Sequence, residues 1–477
     1  MSSTQQVKRG TSPSFFVLVM VFFFWGFVAA SNDILIPLFR EKFNIQGWQS
    51  QLVGFAFYVA YFVGAVIYFL VSSAIKTDPL NRMGYKNGII YGLIFSGLGT
   101  LIFYPAAELQ SFPLMLTGLF VVALGFALQQ IAANPFAIAL GDPADGAKRL
   151  NLAGGINNFG ATLGPVVVSA AIFGDIGPDA AKNASINDVK IPYLVLGALF
   201  VLVAVFFKIS KLPAIRNDEA VEKGLGALKY PQLALGMVAI FTYVGVEVTI
   251  AANLGDYLRH TQQLDSANIS QYVSLFWGSM MIGRWTAGSS AFNPSPNLKK
   301  ILTVIIPFVA FAVFLGINMA RGTDVSDLYV YAYCIIALII AFFLSQDKPA
   351  RQLLIFASFG IIAMLIGLFT TGKVALFAFI SGGLFCSVMW PCIFTLATAG
   401  LGKYTSQGSA FLVMMILGGA IIPVLQSLLG GVEWIGIHHS YWLPVACFAY
   451  LAFFAIKVKN ILKSQGIDYE SAISGGH

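Results

Sequence analysis

Charge is scarce in this sequence. Only 10% of its 477 residues are Asp, Glu, Lys or Arg, while 58% are hydrophobic. Soluble domains carry about 25% charged residues, so a water-soluble fold is excluded and an integral membrane protein is implied. Cysteine is scarcer still. The four present, Cys334, Cys386, Cys392 and Cys447, fall in apolar segments with no metal-ligand or redox spacing. They read as small buried apolar residues. No Ser/His/Asp set, metal cluster or phosphate loop occurs, so neither an enzyme nor a cofactor is expected. Short alternating segments, the mark of a barrel strand, are also missing.

Long apolar runs are what the chain has. About 20 apolar residues cross a bilayer core as a helix. Runs of that length cover 14–39, 48–75, 87–106, 112–141, 150–174 and 191–208. After a charged stretch come 232–258, 270–292, 299–320, 328–345, 351–371, 374–400, 407–431 and 441–460. The pattern predicts an all-α polytopic membrane protein with about fourteen transmembrane helices. Lys and Arg are enriched in cytoplasmic loops of membrane proteins. With a cytoplasmic N-terminus, 20 of the 28 Lys and Arg residues fall on the cytoplasmic side and 7 outside, with Arg284 left in a span. Both termini are therefore expected in the cytoplasm. This placement also accounts for the net charge of +7 without a nucleic-acid partner.

The two halves of the sequence echo each other. ANPFAIALG (133–141) pairs with MWPCIFTLA (389–397), and FGATLGPVVVS (159–169) with LGGAIIPVLQS (417–427). FAFYVAYFVG (55–64) overlays LFWGSMMIG (275–283). The offset between paired positions is larger late in the halves than early. A two-helix hairpin at 299–345, inserted into the second of two six-helix repeats, explains that growth. The expected organisation is a six-helix bundle over 1–208, a cytoplasmic linker at 209–231, a second bundle over 232–465 containing the hairpin, and a tail at 466–477. Two parallel six-helix halves describe the major facilitator architecture, in which the substrate binds at the midplane between them.

Polar side chains at bilayer depth are costly and usually face a cavity. Asp33 follows Asn32 inside the first apolar run with no basic residue in the same or the adjacent span. It reads as a carboxylate that carries a coupling cation. Glu247 occupies the repeat-related place, with Arg284 as a candidate structural partner. Amides crowd two spans: Gln129, Gln130 and Asn134 in one, Asn157 and Asn158 in the next. They suit a polyhydroxyl ligand, or equally hydrogen bonds between packed helices. Trp25, Tyr58, Tyr243, Trp277 and Trp390 lie at similar depth. Aromatic faces beside amides are what a sugar requires. Gly154 and Gly155 suit close helix approach.

Six segments carry a family resemblance: FFFWGFVAASNDILIP (22–37), AANPF (132–136), RLNLAGGINNFGA (149–161), YVGVE (243–247), GRW (283–285) and WPCIF (390–394). Together they resemble the fucose:proton symporter family of the major facilitator superfamily, over nearly the whole chain except the hairpin. The resemblance implies monosaccharide uptake driven by H+ or Na+, with Asp33 as the coupling residue and Asn157 as a sugar ligand. It also marks two departures. Gln130 stands where the fucose permease has a second acid, and Gly154 stands where the permease has a glutamine. A glutamine oxygen beside one carboxylate suits Na+, so Asp33 and Gln130 form a candidate Na+ site.

The expected function is import of a hexose or N-acetylhexosamine by cation symport across the cell (inner) membrane. Asp33 and Glu247 are the cation-coupling candidates. The sugar candidates are Asn32, Gln129, Gln130, Asn134, Asn157, Asn158, Trp25, Tyr58, Tyr243, Trp277 and Trp390. The expected partners are a small sugar and the lipid bilayer, with a monomer as the working unit. The rival readings are a proton-coupled drug exporter and a non-transporting sugar receptor.

Overall fold

A computed structural model of the protein describes residues 13–33, 47–75, 77–174, 185–213, 215, 225–263 and 266–468. Parts of the linker and tail, 216–224 and 469–477, lie outside the described residues. Among the described residues there is helix and no strand. Backbone groups in lipid must be satisfied within the segment, and a helix does this by itself.

The first half holds α1 (Pro13–Asp33), α2 (Gly47–Ile75), α3 (Tyr85–Leu101), α4 (Phe112–Ala139), α5 (Gly146–Phe173) and α6 (Lys190–Ile209). The second begins with α7 (Pro231–Thr261), α8 (Ser266–Gly288), α9 (Pro296–Ala320), α10 (Ala332–Ser345) and α11 (Pro349–Phe369). It ends with α12 (Gly372–Cys386), α13 (Met389–Thr398), α14 (Thr405–Met414), α15 (Gly418–Gly430) and α16 (Trp442–Ser464). The expected count of fourteen spans is only partly met by apolarity. Among the described residues, twelve segments are long and apolar enough to cross a membrane. Helices α5 and α8, at 28 and 23 residues, are as long but are not among the twelve; α5 carries Asn157 and Asn158, and α8 carries Arg284.

Packing repeats between the halves. In the first, α1 lies against α5, α3 against α4 and α6, and α2 against α4. In the second, α7 lies against α15, α11 against α12 and α16, and α8 against α12. Helices α9 and α10 stand to one side, on α8, α11 and α12. Ion pairs tie this pair at both ends, Lys299 to Asp347 and Asp327 to Lys373.

In lipid, helix association relies on close van der Waals contact, which small residues permit. The α1–α5 crossing shows how close. A Cβ on Gly26 would stand 1.9 Å from the carbonyl oxygen of Asn157. At the turn between α4 and α5, Arg149 donates to the carbonyls of Ala137, Ile138 and Asp142 at 2.6–2.8 Å. A cation there satisfies the last carbonyls of α4 and opposes the negative end of its dipole.

Candidate functional site

Two seams carry most of the contact between the halves among the described residues. One is α5 against α8. The other is α2 and α4 against α14, which runs through a 3-10 turn into α15. Both are tightest at the end of the bundle that carries the α4–α5 turn, here termed the linker end. On the first seam, Trp285 Nε1 donates to the carbonyl of Gly155 at 3.0 Å. A Cβ on Gly288 would meet Leu152 Cα at 2.9 Å. On the second, Phe69 and Phe411 pair with ring centroids 5.2 Å apart. The short helix Pro79–Met83 lies against the start of α14. There Asn81 donates to the carbonyl of Lys403 at 2.9 Å and accepts from Ser406 Oγ at 3.1 Å.

Asp78 caps that short helix. Its carboxylate accepts from the backbone N–H groups of Leu80 and Asn81 and from the Tyr68 hydroxyl, at 3.0, 3.2 and 2.5 Å. Burial holds this carboxyl above the usual carboxylate range, and the donors pull the other way.

Deeper in the bundle the two halves meet through polar groups, and Arg284 is the hub. Its Nη1 donates across the junction to Asn158 Oδ1 at 2.8 Å. Its Nη2 donates to the Tyr243 hydroxyl at 3.2 Å, and its Nε to the carbonyl of Ser387 at 3.1 Å. That carbonyl is free for a reason visible in the chain. Pro391, four residues on, has no N–H to return, and the helix is interrupted between α12 and α13 at this point. Glu247 completes the group, within reach of the Tyr243 hydroxyl and of the Arg284 charge. Trp390 lies beside Tyr243, with ring centroids 6.3 Å apart. In the first half, Gln130 Nε2 donates to the Tyr61 hydroxyl at 3.0 Å.

The structure thus brings Asn158, Tyr243, Glu247 and Trp390 together where the halves meet, while Gln130 bonds Tyr61 within the first half. Asn157 lies on the same stretch of α5, where its amide donates to the carbonyl of Phe22 at 2.8 Å. Tyr58 reaches across to Gly419 of α15. Trp277, 43% exposed, lies one turn from Met281, whose sulfur contacts Thr162 of α5. Three candidates go elsewhere. Gln129 is fully buried, with its amide bonded to Trp25 Nε1 at 2.6 Å and Ser96 Oγ at 3.0 Å. Trp25 and Gln129 therefore spend their polar atoms inside the first half and do not line the junction. Asn134, 2% exposed, donates to the carbonyl of Gln130 on its own helix. Asn32 and Asp33 end α1, and their side chains lie outside the described residues.

Sequence reasoning missed Ser387 and gave Arg284 only one partner. The carbonyl freed by Pro391 was a readable signal for the first. Nothing local announces the second, because Asn158 is 126 positions away.

The fold and the sequence both have known relatives. The Major Facilitator Superfamily family model matches residues 15–345. A glucose/galactose transporter of Brucella abortus is 34% identical over 444 residues, 92% of either chain. The L-fucose-proton symporter of Escherichia coli is 27% identical over 464 residues, again 92% of each. The crystal structure of the transporter FucP in the outward conformation superposes with a TM-score of 0.72 at 26% identity, covering 94% of this chain and 99% of that one. These relatives are transporters and not enzymes. With the family model matched over most of its length and a packed bundle of apolar helices around it, this multi-pass membrane chain belongs to the Major Facilitator Superfamily.

Proposed function

We propose that the chain imports a monosaccharide, a hexose or N-acetylhexosamine, by cation symport through alternating access. The observation that carries the reading is the polar group shared by the halves: Asn158 from one side, with Arg284, Tyr243 and Glu247 from the other. Several hydrogen-bonding groups beside an aromatic face, here Trp390, match what a sugar ring needs. The names of the relatives point the same way.

Asp33 carries the coupling cation in this reading, H+ or Na+, with Gln130 as a further oxygen ligand for Na+. Asn157, Asn158, Tyr58, Tyr243, Trp277 and Trp390 serve the sugar. Glu247, held by Tyr243 and within the field of Arg284, serves the sugar hydroxyls better than a second cation. We place fourteen spans in the bilayer, counting α5 and α8, with α9 and α10 as the inserted hairpin. The linker end and both termini face the cytoplasm of an inner-membrane monomer. On that orientation the seams described above close the cytoplasmic side, so the site would open outward.

The test is uptake into proteoliposomes of glucose, galactose, fucose and N-acetylglucosamine, with pH and Na+ gradients imposed separately. One sugar and one cation gradient should drive accumulation. Asp33→Asn should abolish accumulation and leave sugar exchange. An Asp33→Asn protein that still concentrates sugar would remove the coupling role, and no accumulation of any sugar under either gradient would remove symport.

A further inference from the structure

A proline inside a helix cannot donate to the carbonyl four residues before it. In lipid no water makes up the loss. The repeat places such a proline in each half, Pro135 in α4 and Pro391 in α13. The two freed carbonyls are satisfied in different ways. That of Ser387 accepts from Arg284, within its own half. That of Ile131 accepts from Ser409 Oγ at 2.9 Å, and Ser409 belongs to α14 of the opposite half. Ile131 and Ser409 are both fully buried.

We propose that this bond is a state-selective latch, with Ser409 as a positioning residue that holds the linker end closed. The carbonyl has a partner only while α14 lies against α4. Separating the halves orphans it until water enters, so the bond favours the closed arrangement and is lost on opening. Pro135 is what creates the acceptor. The latch also adjoins the site. Gln130, whose side chain bonds Tyr61 and whose carbonyl accepts from Asn134, shares a peptide unit with Ile131. A ligand that draws on Gln130 moves the plane beside the latch. The latch needs only that the halves rock, and its test uses no sugar.

Thr395 reports opening. It is 2% exposed, and its methyl group lies 3.4 Å from where a Cβ on Gly146 of α5 would stand. A Thr395→Cys chain, purified in nanodiscs, is labelled with a water-soluble maleimide and corrected for labelling of the chain without that substitution. Hydrogen bonds between membrane helices are modest, so Ser409→Ala should raise the labelling rate roughly three- to tenfold. Pro135→Ala should do the same, because residue 135 then supplies an N–H that satisfies the Ile131 carbonyl in either arrangement, so the Ser409 bond no longer favours the closed one. The double variant should match Pro135→Ala alone, and Ser409→Thr should keep the original rate. Unchanged labelling in Ser409→Ala, or effects of the two single variants that multiply in the double, would overturn the latch. If Ser409→Ala aggregates, Pro135→Ala decides by itself, since it adds a donor and removes none. Failure of sugar uptake would leave these outcomes untouched.

Discussion

The two seams exchange places under the internal repeat, since α2 pairs with α8 and α5 with α15, yet they are built differently. The α5–α8 seam is a steric fit. Gly155 and Gly288 let Trp285 and the Leu152 backbone come within contact, and a ring N–H fixes the register. The seam along α14 is made of exchangeable parts: a hydroxyl on a carbonyl, an amide on a helix end, one aromatic pair. A fit of that first kind resists separation but tolerates rotation about its contact point. Single hydrogen bonds of the second kind break one at a time. The difference teaches that one symmetric plan can yield a pivot on one side and a release on the other.

The strongest way to break this comparison is to spoil the steric seam. A valine at Gly288 meets Leu152 backbone, which cannot move aside as a side-chain tip would. Overpacking costs about 1–3 kcal/mol, so Gly288→Val should raise Thr395→Cys labelling roughly tenfold or more, beyond Ser409→Ala. Labelling below the Ser409→Ala level would reverse the assignment of pivot and release.

Next in size is Arg284→Ala. It leaves the Ser387 carbonyl without its donor and Glu247 without its neighbouring positive charge, and an orphaned buried group costs about 1–3 kcal/mol. Thermal unfolding of the purified protein should fall by several degrees. Adding Glu247→Gln should recover part of the loss, because the uncompensated charge goes. No recovery would mean that the arginine acts only through Asn158, Tyr243 and Ser387.

The smallest expected effect sharpens the release seam through pH. Burial raises the Asp78 carboxyl above its usual range, so the folded protein favours the protonated form relative to the unfolded chain. Its contribution is full below the ordinary carboxylate value and is lost as pH rises through the raised one. The thermal unfolding midpoint should therefore fall by about a degree or two across that window. In Asp78→Asn the curve should be flat. An equal slope in both proteins would place the titration elsewhere.

Much of the fold was legible in the sequence. The apolar runs mark the helices, and paired prolines and glycines mark the repeat. Gly154 and Gly155 announced a close approach, and α8 is what approaches them. The site was less legible, for a physical reason. In water a helix shows its buried face by hydrophobic periodicity. In lipid the outer face is as apolar as the packed one, so that signal disappears. Gln129 and Gln130 show the result. They are neighbours in sequence, yet about 100° of helical rotation sends one to Trp25 and Ser96 on α1 and α3 and the other to Tyr61 on α2. Composition could not separate them. Nor could it say that Asn158 and Arg284 meet.

The side pair α9–α10 has a mechanical consequence. Pinned at both ends by charge and laid on α8, α11 and α12, it widens one body of the molecule and leaves the other narrow. Two bodies that tilt against each other in a viscous sheet share the motion in inverse proportion to their drag. The slimmer body, which carries Asp33, should swing through the larger arc, and its broader companion should serve as the keel.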